Sequence, residues 1–488
     1  MTNSDRAQLR WSFTFLSCLL HLQAGQFDQT AESIRRQLVD SGAPSLAVAV
    51  AKDGKIIWEQ GFGWADRARR VPADEHTLYS LASISKPFTA TALMTLVEAG
   101  KVNLDGPVND YLGNAKLRAR VGDAAQATVR RVASHSSGLP LHYQFFYADE
   151  PYRPPSMDET ILRYGNLVTA PGEKFEYSNL GFGILDYVIS RVSGRAYEDF
   201  MRQEVFVKLG LTHTSVGIDP GLERYEAVRY GEDGLPIAFY DFDHRGASAL
   251  YSSAHDLVRF GLFHLKARLP DQKAILSDES IDAMQAPTVN IGKNGGRGVG
   301  WALEDRGDGY RVISHTGSMG GVATTLRLIP SEKLAVVVLC NAGVRLPHRI
   351  SDEILSTMLP KWRPQNPEPQ RTESFHPPPE LIGAWAGKLI TYKAEIPMTL
   401  RILESGDVHA QIGGQMKMLW NNVRWQDGYL TGAMPGDVGT EDAGRRPYFL
   451  SFSLKLRGRI LSGAASAIST PGRRPGNALT QWVELNKQ

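Results

Sequence analysis

The chain has 488 residues, of which 42% are hydrophobic and 22% charged, and its 54 Lys and Arg nearly balance 52 Asp and Glu. That is the composition of an ordinary soluble globular protein with ample core material, and a net charge of +2 gives no reason to invoke nucleic acid or an acidic membrane surface. Two cysteines, Cys18 and Cys340, exclude a disulfide framework, and no Cys-x-x-Cys or His-Glu-x-x-His spacing occurs, so no metal or other cofactor is expected.

In chain order, Arg6 and Arg10 precede the modest apolar stretch Trp11 to Leu22, and Ala24-Gly25 follows. This predicts a secretory leader over residues 1–25 and a periplasmic or secreted product; the alternative is an untargeted tail on a cytoplasmic protein. The stretch is too short to span a membrane, and no other segment approaches that length, so no integral span is expected. Gln29 to Leu38 has helical periodicity, and Ser45 to Ala51 with Lys55 to Gln60 reads as a hairpin turned at Asp53-Gly54.

Ser83-Ile84-Ser85-Lys86 comes next. A serine hydroxyl is a poor nucleophile until a neighbour takes its proton, and a lysine three residues on, in a helix, lies on the same face within reach. Leu93, Met94, Leu96 and Val97 continue the helix and Gly100 stands where it should stop, while Pro87 is tolerable in the first turn. Ser83 then opens the helix, where free N–H groups and the dipole favour an oxyanion.

From about Val108 to Leu265 the pattern is mostly helix and loop. The run Leu141-His142-Tyr143-Gln144-Phe145-Phe146-Tyr147, with Tyr152 and Pro154-Pro155 beyond it, either walls an apolar pocket or packs on its own lobe. Tyr177-Ser178-Asn179 is preferred to its look-alike Tyr164-Gly165-Asn166, because Pro171-Gly172 turns the chain before it and the apolar run Leu180 to Ile189 follows. His244, near Asp241 and Asp243, reads as part of a polar loop rather than a ligand cluster. Ala323 to Ile329 and Leu334 to Cys340 flank Pro330-Ser331-Glu332-Lys333 as a second hairpin, with Cys340 a small buried residue. The Gly-x-Ser-x-Gly elbow of the α/β-hydrolases is missing.

Prolines at 360, 364, 367, 369 and 377–379 mark a linker over residues 361–379. Beyond it, alternation at Met398, Leu400 and Ile402, at Val408, Ala410 and Ile412, and at Leu450, Phe452, Leu454 and Leu456, with turns at Asp427-Gly428 and Arg457-Gly458, predicts a small antiparallel barrel-like domain over 380–488. Strands at both ends of residues 26–360 with helices between them predict a helix-covered sheet, an α lobe beside it and a site in the cleft.

Four stretches carry a family resemblance: Leu81 to Pro87, Ala133 to Pro140, Pro171 to Asn179, and Ile313 to Gly321 with the hairpin that follows. Their order and spacing, from about Phe27 to Pro360, resemble the serine β-lactamase and DD-peptidase superfamily, in its class C β-lactamase-like, or CubicO-like, branch. The resemblance implies an α/β (α+β) β-lactamase/transpeptidase-like fold, and Gly383-Ala384-Trp385 is similar to the start of the lipocalin-like β-domain of some relatives. It also implies roles: Ser83 the acylated nucleophile, Lys86 the holder and relay of its proton, Tyr177 the base and later the acid. Asn179, His315, Thr316 and Gly317 would then bind substrate, and the N–H groups of Ser83 and Ser318 would form the oxyanion hole. Such chemistry needs Lys86 or Tyr177 to have a lowered pKa. His315 departs from the β-lactamase pattern, which has lysine there; an unperturbed histidine titrates at about 6.5 and is mostly neutral above that. Amide or ester substrates, such as D-amino-acid peptides or small esters, are therefore favoured over β-lactams. A β-lactamase or penicillin-binding DD-carboxypeptidase is the alternative, and a non-catalytic penicillin-binding or scaffolding protein a third. The role of the β-domain and the oligomeric state are left open.

Overall fold

A computed structural model describes residues 25–365, 374–472 and 474–488. The expected leader with Cys18, and the part of the proline-rich linker that holds Pro367 and Pro369, lie outside the described residues. Among the described residues no helix is long and apolar enough to cross a membrane.

Helix α1 (Asp28–Ser41) leads into strands β1 (Ser45–Lys52) and β2 (Lys55–Asp66), joined as expected at Asp53 and Gly54, both of positive φ. Seven more strands complete an antiparallel sheet: β3 (Val71–Pro72), β4 (Val289–Ile291), β5 (Gly295–Arg297), β6 (Ala302–Asp305), β7 (Arg311–Met319), β8 (Val322–Ile329) and β9 (Leu334–Cys340). The order is β4-β5-β6-β7-β8-β9-β1-β2-β3, so β1 from the start of the chain pairs with β9 from the far end.

Period-two alternation splits these central strands between two cores. Leu46, Val48 and Val50 of β1, with Val336, Val338 and Cys340 of β9, face Ile34 and Leu38 of α1 and Ile350 and Ile354 of α6 (Leu346–Met358). Ala47, Ala49 and Ala51, with Ala335, Val337 and Leu339, face the opposite core, where α2 (Ser85–Glu98) and α5 (Ala254–His264) pack. With both faces covered, the strands read as unbroken apolar runs. Helix α2 is buried nearly all round, and Phe88 stacks on Phe260 of α5 at 3.7 Å. In chain order the helical lobe, including α3 (Asn179–Ser193) and the short α4 (Arg245–Ser248), comes between β3 and β4.

A second antiparallel sheet is formed by β10 (Gly383–Ile390), β11 (Glu395–Ile402), β12 (Val408–Ile412), β13 (Met418–Leu419), β14 (Asn421–Gln426), β15 (Tyr429–Met434), β16 (Tyr448–Arg457), β17 (Ile460–Ser469) and β18 (Ala478–Lys487). Its order, β13-β12-β11-β10-β18-β17-β16-β15-β14, brings the chain round into a nearly closed barrel. The interior is filled by Trp385, Leu400, Leu430, Leu454 and Val483, with Trp420 stacked on Phe452 at 4.5 Å.

The barrel grips the helical lobe at two places that bear on the site. Tyr143 exchanges both backbone hydrogen bonds with Ala478, at 3.0 and 2.8 Å, and the Thr480 hydroxyl donates to the Leu141 carbonyl at 2.7 Å. Glu173, four residues before Tyr177, accepts from the Tyr429 hydroxyl at 2.8 Å and pairs with Lys455 and Arg457. Burial alone would raise the Glu173 carboxyl, but hydrogen bonds from Lys455, Tyr429 and the Ala170 N–H outweigh it and pull it down to about 2. Its folded-state pKa is thus below the ordinary value of about 4.3. The stabilisation is full above that value and is lost as pH falls toward about 2. Melting temperatures of the protein and of Glu173→Gln should therefore differ by about 2–4 °C at pH 7 and converge only as pH falls to about 2, as thermal scans across that range would show. The look-alike Tyr164 serves the same interface: its hydroxyl donates to Asp442 of the barrel.

Candidate active site

The segment before α2 is strained and pinned. Ala82 is buried at φ +47°, a conformation costly for a residue with a Cβ. The Ser85 hydroxyl donates to the Ala82 carbonyl at 2.7 Å and accepts the Leu250 N–H at 3.0 Å, while the Thr324 hydroxyl donates to the Leu81 carbonyl at 3.0 Å. Ser83 follows in a single 3₁₀ turn (Ala82–Ile84) that runs into α2 and places Lys86 in the first helical turn.

Around Ser83 Oγ the expected cluster assembles. Lys86 Nζ lies 3.1 Å away and the Tyr177 hydroxyl donates to it at 2.8 Å. Lys86 also donates to Asn179 Oδ1 at 2.8 Å and to the Ala247 carbonyl of α4 at 3.0 Å, and Asn179 Nδ2 donates to the His142 carbonyl at 3.0 Å. The Lys86 side chain is wholly buried; desolvation, then the charge of Arg297, drives its pKa well below the usual lysine range. Burial pushes Tyr177 the other way, up to about 12. Of the two groups, one of which was expected to have a lowered pKa, it is the lysine that has it. A neutral Lys86 is the base-competent form, so kcat/KM should fall as pH drops through its depressed pKa. Tyr177 should add no limb below pH ~11 in a rate profile.

Tyr177 is held from behind by His135, a residue in one of the matched stretches to which the sequence assigned no role. Its ring stacks on Tyr177 with centroids 4.3 Å apart, and its Nδ1 accepts the Ser178 N–H at 3.1 Å. Ser178 in turn caps α3, its hydroxyl accepting the Gly181 N–H at 3.2 Å. Arg297, at the end of β5, was also missed, being one arginine among many in the sequence. It lies over Phe175 at 5.1 Å, its buried Nε has no hydrogen-bond partner among the described residues, and its charge acts on Lys86, Tyr177, His135 and His315.

Strand β7 brings its residues to the cluster unequally. His315 is buried, with Nδ1 2.8 Å from the Thr316 carbonyl oxygen, and desolvation, then Lys86 and Arg297, pushes it down to about 3. Its titration therefore leaves the region of 6.5 and the ring stays neutral. Thr316 is exposed and lines a groove of about 1330 Å³ on the other face of the sheet, with Arg327, Arg345 and Asp352. Gly317 abuts the segment that leads into Ser83, since a Cβ there would sit 2.1 Å from the Leu81 carbonyl oxygen. Ser318 reaches the mouth of the site.

A cavity of about 360 Å³ opens on Ser83, Tyr177, Asn179 and Ser318. Leu141, Tyr143, Phe145, Phe242 and Met319 form its apolar wall, and Pro475 and Gly476 of the barrel close it. The aromatic run thus does both jobs foreseen for it: Tyr143 and Phe145 face the cavity, whereas Phe146 and Tyr147 are buried and Tyr147 donates to the Pro475 carbonyl at 2.9 Å. His244 also lines this cavity. The polar-loop reading of it fails: His142, Asp243 and His244 are all buried, because the carboxylate accepts from both rings, His142 Nε2 at 2.7 Å and His244 Nδ1 at 2.6 Å. These three also lie close enough together to hold a metal ion among the described residues, and each ring has one nitrogen engaged with Asp243.

A Ser-Lys-Tyr cluster with a buried lysine, between an antiparallel sheet and an α lobe, defines the class: the β-lactamase-fold serine hydrolases, which take in penicillin-binding proteins and class C β-lactamases. The Beta-lactamase family model matches residues 30–356, and the chain belongs to that family. It is 26% identical over 319 residues to Penicillin-binding protein 4* of Bacillus subtilis (strain 168), covering 60% of this chain and 67% of that one. Across the curated relatives it matches well, the chain spans 61–72% of their length. The octameric penicillin-binding protein homologue from Pyrococcus abyssi has a similar structure, with TM-score 0.59 and 21% identity over 93% of this chain and 99% of that one. SurE, solved with D-Leu, superposes with TM-score 0.62 and 20% identity over 95% of this chain and all of its own. Both likenesses take in the barrel as well as the first sheet.

Proposed function

We propose that the chain hydrolyses amide or ester substrates, D-amino-acid peptides or small esters, through an acyl-Ser83 intermediate. The observation that carries this reading is the position of Ser83 Oγ, within hydrogen-bond reach of both Lys86 Nζ and Tyr177 Oη at the floor of an apolar cavity. The proton inventory supports it. Two partners of Lys86, Asn179 Oδ1 and the Ala247 carbonyl, only accept. When neutral, the amine keeps two N–H groups for them and a lone pair with which to take the Ser83 proton. In this reading Lys86 takes the serine proton, Tyr177, kept protonated by burial, donates toward Ser83 and then gives its proton to the leaving group, and the proton held by Lys86 returns to Tyr177. The N–H groups of Ser83 and Ser318 stabilise the oxyanion, and Asn179 and the β7 backbone at Thr316 and Gly317 hold the acyl side. At about 360 Å³ the cavity suits a short ester or a residue with one bulky apolar group. SurE, whose structure was solved with D-Leu, supports the D-residue class.

A second reading, a β-lactam or DD-peptide substrate, is favoured by Arg297, a permanent cation beside the cluster whose Nε has no partner among the described residues, suited to a substrate carboxylate. Hydrolysis of short p-nitrophenyl esters, D- and L-amino-acid p-nitroanilides and a chromogenic cephalosporin by the protein and by Ser83→Ala tests both. The first reading expects ester and D-anilide turnover that vanishes with Ser83; turnover of the cephalosporin alone favours the second. A wild type inert to all three, or a variant as active, would return the chain to the non-catalytic class.

A further inference from the structure

The barrel reaches the acylation cluster through a single peptide group. Strand β18 begins at Ala478, and the segment from Leu141 to Phe145 meets it in antiparallel pairing at Tyr143. Three points hold the segment there. The Thr480 hydroxyl donates to the Leu141 carbonyl at 2.7 Å, Tyr143 and Ala478 exchange hydrogen bonds at 3.0 and 2.8 Å, and Asn477 Oδ1 accepts the Phe145 N–H at 3.0 Å. Both barrel side chains are buried.

A trans peptide is flat, and its N–H and C=O point opposite ways. The unit that joins His142 to Tyr143 gives its N–H to the Ala478 carbonyl at 3.0 Å, while its C=O accepts from Asn179 Nδ2, also at 3.0 Å. The barrel therefore aims the carbonyl that holds Asn179. The ring of His142, bonded to Asp243 at 2.7 Å, fixes that side chain but not the ψ rotation that sets the carbonyl. With Nδ2 engaged, Oδ1 is the end of the Asn179 amide that faces Lys86 Nζ, at 2.8 Å. The orientation matters chemically. Reversed, the amide would present N–H groups to the amine, and a neutral Lys86 could answer only with the lone pair that is to take the Ser83 proton.

We propose that Thr480 and Asn477 of the barrel are positioning residues for acylation of Ser83, acting through the His142–Tyr143 peptide and Asn179 on Lys86. The inference rests on the acyl-Ser83 reading, and it gives the barrel a part in the chemistry as well as in closing the cavity.

The test is a double-mutant cycle on the full chain. It is read by the rate of fluorophosphonate labelling of Ser83, which reports activation of the serine, and by kcat and KM for p-nitrophenyl butyrate. Thr480→Val keeps the shape of the side chain but deprives the Leu141 carbonyl, and Ser466 Oγ at 2.7 Å, of the hydroxyl they meet. In a variant whose melting curve shows it folded, labelling and kcat should fall together by about tenfold with KM within about twofold, and Thr480→Ser should restore both rates. On an Asn179→Ala background, where the relay is already cut, the same substitution should change labelling by less than about twofold. If Thr480→Val does not fold, Asn477→Ala, which frees the Phe145 N–H at the other end of the segment, carries the same cycle. Wild-type rates in a folded variant, a loss confined to KM, or a loss of equal size on both backgrounds would overturn the positioning role. A wild type that is not labelled on Ser83 and does not turn over the ester would instead remove the acyl-Ser83 reading beneath it.

Discussion

Replacing Lys86 by methionine should lower kcat/KM for a p-nitrophenyl ester by about 10³–10⁴-fold while the protein stays folded. Methionine fills much of the same buried volume, so packing around α2 survives, but Ser83 loses the group that takes its proton. Lys86→Arg should be no better, because a guanidinium does not give up a proton at any pH the fold withstands. The readout is steady-state kinetics beside a melting curve. Activity within tenfold of wild type in either variant would show that the serine is activated by something other than this lysine.

Gly317→Ala should cost at least about 10²-fold in kcat/KM through geometry alone. The added Cβ would lie 2.1 Å from the Leu81 carbonyl oxygen, 2.3 Å from Thr324 Oγ1 and 3.1 Å from Ala82 Cβ. No Cβ tolerates the first two contacts, so either β7 withdraws or the Leu81-Ala82-Ser83 segment moves, and both displace the nucleophile or the Ser318 N–H. Overpacking of this kind also destabilises, typically by about 1–3 kcal/mol. A variant with normal kinetics and normal melting would mean that the strand does not need to approach this closely.

Much of this was legible in the sequence because it follows from local rules. The hairpin at Asp53-Gly54, the stop at Gly100, the turn over Pro330 to Lys333 and the alternation of the barrel strands all depend on neighbours a few residues away, and all are present. The helical spacing paired Ser83 with Lys86 and the Pro171-Gly172 turn favoured Tyr177 over Tyr164, while their roles came from the family resemblance. What escaped is what long-range packing decides. His135 stacks on a tyrosine 42 positions later, Arg297 reaches the cluster only because β5 lies two strands from β7, and the side chain of Thr316 leaves the site because strand residues alternate. His244 looked like a polar loop because its environment is made by α3 and by His142, about a hundred residues earlier. The barrel's part in closing the cavity, through Pro475 and Gly476, has no local signature either.

The central claim is that Ser83 is acylated, and the direct measurement is mass spectrometry of the intact protein and of its proteolytic peptides after reaction with a fluorophosphonate and with a p-nitrophenyl ester quenched in acid. The account predicts one adduct per chain, on the peptide holding Ser83, and none on Ser83→Ala. An adduct on another residue, or equal labelling of the variant, would contradict it.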